Sequence, residues 1–278
     1  YAISSQQLQL LRDESARWRE RYDRSSAAMS QGDVTFDQNA TDLVALVDVS
    51  NQLHQAEQTF NEVRHDLNLL LGLAPYAQVE ITPPGLPEPV PADSATTKLS
   101  DIAERRPDLM ALKAGYVEQE ARVRAAVLNQ VPSIGLSLNR SRDTSDVRTN
   151  GLGVSLTLPF LNGSRGDIAI ERASREQLRA EYVARLSHAG SDIDKLLSLQ
   201  SLIGNQLVVD RKYLDQLSAL RDQARAAYDR GDLAPTAFLN VEQTWVSNRM
   251  AWLSLIESAW QNRIALDTLL AVPGGTSK

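Results

Sequence analysis

The feature of this sequence that most constrains its fold is a long proline-free stretch that ends at Gly231. It begins after the turn at Leu161-Asn162-Gly163 and keeps one helical pattern throughout. Its apolar residues recur at steps of three, four and seven, at Leu186, Ala189, Ile193, Leu196, Ile203, Leu207, Leu214 and Leu217. Such steps are typical of the seam of a coiled coil. A helix of roughly 65 residues, at about 1.5 Å per residue, is on the order of 100 Å long, which indicates an element that crosses a wide gap.

The composition favours long helices packed through small side chains. Only 5% of the 278 residues are aromatic, 23% are charged, and cysteine is absent. The net charge of −6, without a dense basic patch, argues against nucleic-acid binding. No stretch reaches the roughly 18 apolar residues of a transmembrane helix. The chain begins at Tyr1, already within a helical pattern, which indicates a processed or truncated product.

Residues 1–73 are predicted to form a first helical hairpin. The first helix runs from Tyr1 to about Gln31, and Gly32-Asp33 breaks it, as glycine does at a helix C-terminus. Asp37 is expected to cap a second helix, which runs to about Leu71 and ends at Gly72. Two long helices joined by a short turn make an antiparallel hairpin.

Residues 74–97 are predicted to be a linker, because prolines favour extended backbone and exclude helix. The prolines are Pro75, Pro83, Pro84, Pro87, Pro89 and Pro91. Residues 98–131 then hold a short helix around Leu99 to Arg105 and a longer one from Pro107 to about Gln130. Proline suits the first turn of a helix, which supports the second of these.

Residues 132–161 are predicted to form a β-hairpin with two different faces. Residues 133–139 and 152–160 alternate strictly, and a polar loop at 140–150 separates them. The apolar face carries Ile134, Leu136, Leu138, Leu152, Val154, Leu156 and Leu158. The other face is small and polar. This pattern suits the edge of a soluble sheet and, equally, a membrane barrel with lipid outside and water inside.

Residues 162–272 are predicted to form a second long helical hairpin. Gly231-Asp232 breaks the long helix, and after Pro235 a last helix runs to about Leu270. This helix again keeps heptad steps, at Phe238, Val241, Trp245, Trp252, Leu255, Ala259 and Leu266. Residues 273–278 are a tail that we expect to be disordered.

The two hairpins are predicted to be copies of one another. Gly32-Asp33 and Gly231-Asp232 lie 199 positions apart, and the same offset aligns Gln7-Leu8 with Gln206-Leu207. It also aligns Tyr1 with Gln200, in the middle of the long helix. The first copy therefore lacks a counterpart of residues 98–199, including a β-hairpin. Either those residues are removed from the N-terminus or the chain is a half-built variant.

Four short segments carry a family signature. Glu104-Arg105-Arg106-Pro107-Asp108-Leu109 stands at a helix start, and Val131-Pro132-Ser133 enters a strand. Leu158-Pro159-Phe160-Leu161-Asn162-Gly163 forms a strand-to-helix corner, and Tyr228-Asp229-Arg230-Gly231 forms a hairpin turn. Together these segments resemble those of the outer membrane factor (TolC-like) efflux proteins, especially the lipoprotein branch. The resemblance covers essentially the whole chain.

The resemblance implies a mainly α fold: long antiparallel coiled-coil hairpins in two structural repeats, plus a β-hairpin that joins a trimeric 12-stranded outer-membrane barrel. It implies a homotrimer in the bacterial outer membrane, with helices in the periplasm. Its partners would be a periplasmic adaptor (membrane fusion) protein, an inner-membrane pump and outer-membrane lipid. The protein would be a passive duct for drugs, metals or other small molecules, without cofactor or metal.

Within this resemblance, the residues around the two turns are the candidate gate at the periplasmic tip. They are Tyr228, Gly231, Asp232, Gly32, Asp33, Asp37 and Asn240. Tyr228 matches a tyrosine with which the family closes contacts between hairpins. The family often places an acidic ring at the positions of Ala237 and Asn240, which are uncharged here. An acidic constriction must therefore come from Asp229 or Asp232 with Asp33 or Asp37, or be missing; turn and cap roles explain these aspartates equally well.

The strand count is a second departure from the family. Three copies of this chain would supply only six strands, fewer than the usual minimum of about eight, so we expect that the chain alone forms no membrane pore. The alternative interpretation is a periplasmic helical scaffold or adaptor without a pore.

An enzyme is the disfavoured class. The sequence contains no glycine-rich phosphate loop, nucleophile elbow or metal-ligand cluster. Glu62 and His65 form a Glu-x-x-His pair on a helix, as in di-iron proteins, but such a site needs a second copy and two further glutamates. A surface histidine is the favoured interpretation.

Overall fold

The structure, a computed structural model, describes residues 1–142, 144–145, 147–158 and 164–271. Helices dominate these ranges: α1 Ala2–Gln31, α2 Phe36–Leu71, α3 Ala92–Ser100, α4 Ile102–Arg105, α5 Pro107–Leu128, α6 Arg165–Asp229 and α7 Pro235–Leu269. Strands β1 Ser133–Arg142 and β2 Arg148–Thr157 pair with each other. The predicted mainly α fold with a β-hairpin is confirmed. The predicted strand-to-helix corner beyond Leu158 and the tail at 273–278 lie outside the described residues.

Two compact units make up the chain. The first combines Tyr1–Val90 with Leu196–Leu266, and the second combines Pro91–Lys195 with the residues from Asp267 onward. The boundary at Leu196 falls inside α6, so both units share this helix of 65 residues. Within the described ranges, no helix is both long enough and apolar enough to cross a membrane.

The two helical hairpins of the first unit turn in the same way. Gly32 and Gly231 both have left-handed backbones, with φ of 83° and 82°. The N–H of Asp33 donates to the carbonyl of Ala28 at 3.0 Å, and the N–H of Asp232 donates to the carbonyl of Ala227 at 2.9 Å. This is the Schellman ending of a helix, which glycine favours because it has no Cβ. The two turns, 199 positions apart, thus share the geometry that the predicted repeat requires.

The cap of α2 differs from the prediction. The N-cap is Thr35, whose hydroxyl accepts a hydrogen bond from the N–H of Gln38 at 3.3 Å. Asp37 lies inside the first turn of the helix, so its assignment as the cap was wrong. Both residue types suit a helix start, since threonine satisfies a free N–H and aspartate complements the positive end of the helix dipole.

Apolar side chains from both hairpins form the core of the first unit. One cluster contains Leu11, Trp18, Ala45, Leu46, Val49, Ala224, Phe238 and Val246. A second contains Ile3, Ile203, Leu207, Leu253 and Ile256. Ile203, Leu207 and Phe238 belong to the predicted heptad stripes. The other buried members on α7 are Val246, Leu253 and Ile256, each one residue after a predicted stripe position that is only partly buried. The amphipathic helices thus bury their apolar seams against one another, as heptad spacing predicts.

The proline-rich segment is packed rather than free. The side-chain amide of Gln200 bonds both backbone groups of Val90, accepting from the N–H at 2.8 Å and donating to the carbonyl at 3.0 Å. The indole N–H of Trp260 donates to the carbonyl of Gly85 at 2.8 Å. Helix α3 begins at Ala92, directly after Pro91, so residues 92–97 are helical and not linker.

The arginine-proline-aspartate motif starts α5 in the second unit. Pro107 is the first residue of the helix, as predicted. The Arg106 guanidinium bonds the Asp108 carboxylate twice, at 3.0 and 2.7 Å, and this bond lowers the pKa of Asp108. Leu109 is fully buried. The motif therefore fixes the entry of the chain into α5 through a bidentate ion pair and a buried side chain.

The β-hairpin has the predicted faces, but its strands are longer and its loop shorter than predicted. Ile134, Leu136 and Leu138 lie opposite Leu156, Val154 and Leu152. These six side chains are between 56% and 80% exposed. On the other face, a Cβ on Gly135 or Gly153 would lie 2.6 Å from the Oγ of the serine opposite, which explains the small residues there. The hairpin thus presents an uncovered apolar face.

Candidate functional site at the hairpin turns

The candidate site is the end of the first unit where the two hairpins turn. Gly32 and Gly231 form the turns, and Asp33 and Asp232 follow them. The carboxylate of Asp232 accepts a hydrogen bond from the Arg230 guanidinium at 2.9 Å. The candidate gate residues Asp33, Asp37, Asp232 and Asn240 are all exposed. Among the described residues, no three carboxylate or histidine side chains lie close enough together to hold a metal ion.

Tyr228 is the predicted gate residue that joins the two hairpins. Its hydroxyl accepts a hydrogen bond from the side-chain amide of Gln38, on α2, at 2.5 Å. Its ring packs against Phe238 on α7, with 5.0 Å between the ring centroids. Burial raises the pKa of Tyr228, so the hydroxyl stays protonated at neutral pH.

Arg21 on α1 is the centre of this contact. Its Cζ lies 3.8 Å from the ring centroid of Tyr228 and 4.4 Å from that of Phe238. Its Nε donates to Oδ1 of Asp42 on α2 at 2.9 Å, and Asp42 is only 2% exposed. A buried carboxylate needs such a partner. We call Arg21, Gln38, Asp42, Tyr228 and Phe238 the tip cluster; it links α1 and α2 to α6 and α7.

A second polar link lies further from the turns. Arg221 on α6 donates to Glu14 on α1 and to Glu242 on α7, each at 2.7 Å. Glu14 and Glu242 are 1% and 3% exposed, and Arg17 also bonds Glu14. The Arg221 guanidinium lies 3.9 Å from the ring centroid of Trp245. We call Glu14, Arg221 and Glu242 the buried triad.

Burial shifts the pKa of one member of the triad, Glu14. It raises the pKa of Glu14, and the positive charges of Arg221 and Arg17 only partly oppose this rise. A carboxyl that burial pushes toward its neutral form is a weak point in a charged link between helices. The link between the hairpins therefore depends on the charges of its members, because removing one of them leaves its partner buried without compensation.

Tyr228 was predicted from the sequence, but most of the residues that surround it were not. A usable signal was present. On α6, residues at intervals of seven are Leu186, Ile193, Gln200, Leu207, Leu214, Arg221 and Tyr228. Arg221 thus occupies a seam position, where a coiled coil normally has an apolar side chain. A charged residue in the seam indicates a buried partner on another helix, but the partner's identity requires the fold.

Comparison with known proteins identifies a family. The sequence model of the outer membrane efflux protein family matches residues 99–272, more than half of the chain. The probable outer membrane lipoprotein SilC of Salmonella typhimurium is 28% identical over 182 residues, 62% of this chain and 39% of SilC. Outer membrane protein OprJ of Pseudomonas aeruginosa is 27% identical over 243 residues, 83% of this chain and 49% of OprJ. The chain therefore spans half or less of these relatives.

Solved structures share the fold. The outer-membrane channel OprN superposes with a TM-score of 0.83 at 18% identity, covering 99% of this chain and 63% of OprN. A crystal structure of CusC gives a TM-score of 0.79 at 18% identity, covering 97% of this chain and 65% of CusC.

Proposed function

Because the chain belongs to the outer membrane efflux protein family, we propose that it forms part of the outer-membrane channel of a tripartite efflux system. In this role it is a passive duct for drugs, metals or other small molecules, and it catalyses no reaction. One observation supports the proposal above the others: long repeated helical hairpins occur in one chain with a β-hairpin whose apolar face is uncovered.

The apolar face of the β-hairpin is the part that we assign to the membrane. Leu136 and Leu138 lie opposite Val154 and Leu152, and all four side chains are more than half exposed, so lipid is a suitable partner for the face that they form. The opposite face holds glycine, serine and asparagine, which suit a water-filled interior. Leu158, at the end of this face, is 41% exposed.

The helical hairpins of the first unit are the part that we assign to the periplasm. Their turns, with the tip cluster, would form the end that meets a periplasmic adaptor and an inner-membrane pump. Three copies would place three such ends around one pore. The contacts of Tyr228 with Arg21 and Gln38 would then hold each hairpin pair in its resting position.

The membrane assignment is tested by placing one charge on each face of β1. We expect Leu136→Lys in the complete gene product to abolish the protein in the outer-membrane fraction, because a lysine at mid-bilayer costs about 2–4 kcal/mol. The matched variant Ser137→Lys, one residue along the strand, should leave the amount in that fraction nearly unchanged. Immunoblotting of separated membranes measures both.

The opposite pattern contradicts the proposal. If both variants reach the outer membrane equally well, the apolar face does not meet lipid. If the unmodified protein is found as a soluble periplasmic monomer, the chain is a scaffold without a pore.

A further inference from the structure

A groove between three helices of the first unit is lined by Arg249, whose guanidinium makes no hydrogen bond or ion pair with the described residues. The groove has a volume of about 560 Å³ and lies between α1, α6 and α7. Leu10, Leu214 and Leu253 line its apolar side. Arg211 and Arg249 lie at its polar side, with the amide of Gln6. None of these residues belongs to the tip cluster or the buried triad.

Arg249 has an unusual position for a cation. It follows Glu242 by seven residues and precedes Ile256 by seven, so it stands in the seam of α7. It is half-buried, and no carboxylate, carbonyl or hydroxyl in the described part of the chain accepts a hydrogen bond from its guanidinium. Glu242, one heptad earlier, has Arg221 as its partner. Arg249 has no equivalent.

The neighbours of Arg249 add positive charge and further donors. Its Cζ lies 4.7 Å from the ring centroid of Trp252, and the Cζ of Arg211 lies 5.9 Å from the same ring. The indole N–H of Trp252 is buried without an acceptor. Burial and, second, the charge of Arg211 lower the pKa of Arg249. Two guanidinium groups and one indole N–H therefore lie close together beside the groove.

The one carboxylate in the groove does not neutralise the site. Asp215 lies 3.4 Å from Nε of Arg211, and both side chains of this pair are more than 60% exposed. An exposed pair of this kind contributes little. The guanidinium of Arg249 therefore has donors available for a ligand. Two of its N–H groups can bond two oxygens of one carboxylate or phosphate at the same time.

We propose that this groove binds a small organic anion, with its oxyanion on Arg249 and Arg211 and its apolar body against Leu10, Leu214 and Leu253. The ligand class follows from charge complementarity and from the volume of the groove, which suits a small molecule. The proposal goes beyond the efflux function and does not depend on it, because all of these contacts lie within one unit of one chain.

The test uses 4-fluorobenzoate and fluorine NMR titration of the purified protein. We expect saturable binding of 4-fluorobenzoate and none of the uncharged 4-fluorobenzyl alcohol. Arg249→Gln should weaken binding about tenfold or more, since a charged hydrogen bond of this kind is lost. Arg249→Lys should bind with intermediate affinity, because lysine keeps the positive charge but cannot donate two parallel hydrogen bonds to one anion. A parallel titration with 4-fluorophenyl phosphate tells whether carboxylate or phosphate is preferred.

The control variant is Lys212→Gln, which removes one positive charge from the next residue of α6, outside the groove. It should bind 4-fluorobenzoate as the unmodified protein does.

Arg249→Gln should also keep or raise the melting temperature, because it removes a half-buried charge that has no ion-pair partner. If the arginine had only a structural role, the substitution would lower the melting temperature. The proposal is overturned if neither anion binds saturably, or if Lys212→Gln weakens binding as much as Arg249→Gln. It is equally overturned if Arg249→Gln changes the oligomeric mass and not the affinity, which would make the groove an interface between copies.

Discussion

At the scale of single residues, the apolar core of the first unit also contains buried charges, in places where a coiled coil normally has apolar side chains. Glu14, Arg221 and Glu242 connect three helices through two hydrogen bonds of 2.7 Å. Arg21 and Asp42 form a similar link nearer the turns. Such pairs hold only while every charge has its partner, since desolvation removes most of the net gain. These pairs fix how the two hairpins pack, and the contact weakens when one charged partner is removed.

Removing the central cation of the triad should be severe. Arg221→Leu leaves Glu242 buried without its partner and leaves Glu14 with Arg17 alone, and we expect the free energy of unfolding to fall by about 3–5 kcal/mol. Arg225→Leu, an exposed position on the same helix, should change it by less than about 0.5 kcal/mol. Chemical denaturation followed by circular dichroism compares the two. Equal effects would mean that the triad does not connect the helices.

The triad should also give stability a particular pH dependence. The pKa of Glu14 in the folded protein lies above its ordinary value of 4.5. Its contribution to the free energy of unfolding is therefore complete below that value and is lost as pH rises through the folded pKa. Glu14→Gln cannot ionise and should not show this loss. As pH rises from 4.5 through the folded pKa of Glu14, the free energy of unfolding of the variant should therefore increase relative to that of the unmodified protein. Denaturation at a series of pH values measures it, and a difference that is flat or of opposite sign refutes the assignment.

At the scale of elements, the hairpin turns depend on glycine and the helices between them do not. Gly231 has φ of 82°, where a side chain is strained, whereas Gly204 lies within α6 with no atom near the position of a Cβ. The same substitution should therefore have opposite effects. Gly231→Ala should destabilise by about 1–2 kcal/mol, and Gly204→Ala should stabilise by about 0.5–1 kcal/mol. Thermal unfolding of both variants checks the signs; stabilisation by Gly231→Ala would contradict the turn geometry.

At the scale of the whole molecule, the sequence predicts best what depends on local pattern. The bounds of α1, α2 and α6 and both glycine turns follow from heptad steps and helix breakers. The start of α3 was missed because Pro91 was interpreted as part of an extended linker, although proline often precedes a helix. The tip cluster and the triad could not be predicted, because pairing Arg21 with Asp42, or Arg221 with Glu14, requires the packing of two hairpins. From the sequence alone, a charged residue in a helix seam is interpreted as solvent-exposed, because the partner helix that buries it is not known.

The central claim is that this chain belongs to a trimeric outer-membrane duct, and one measurement tests it most directly. The complete gene product is purified from the outer-membrane fraction, and its mass is determined by light scattering in detergent and in detergent-free buffer. We expect three copies in detergent and loss of solubility without it, because the apolar face of the β-hairpin needs a lipid-like environment. A stable soluble monomer in plain buffer would contradict it.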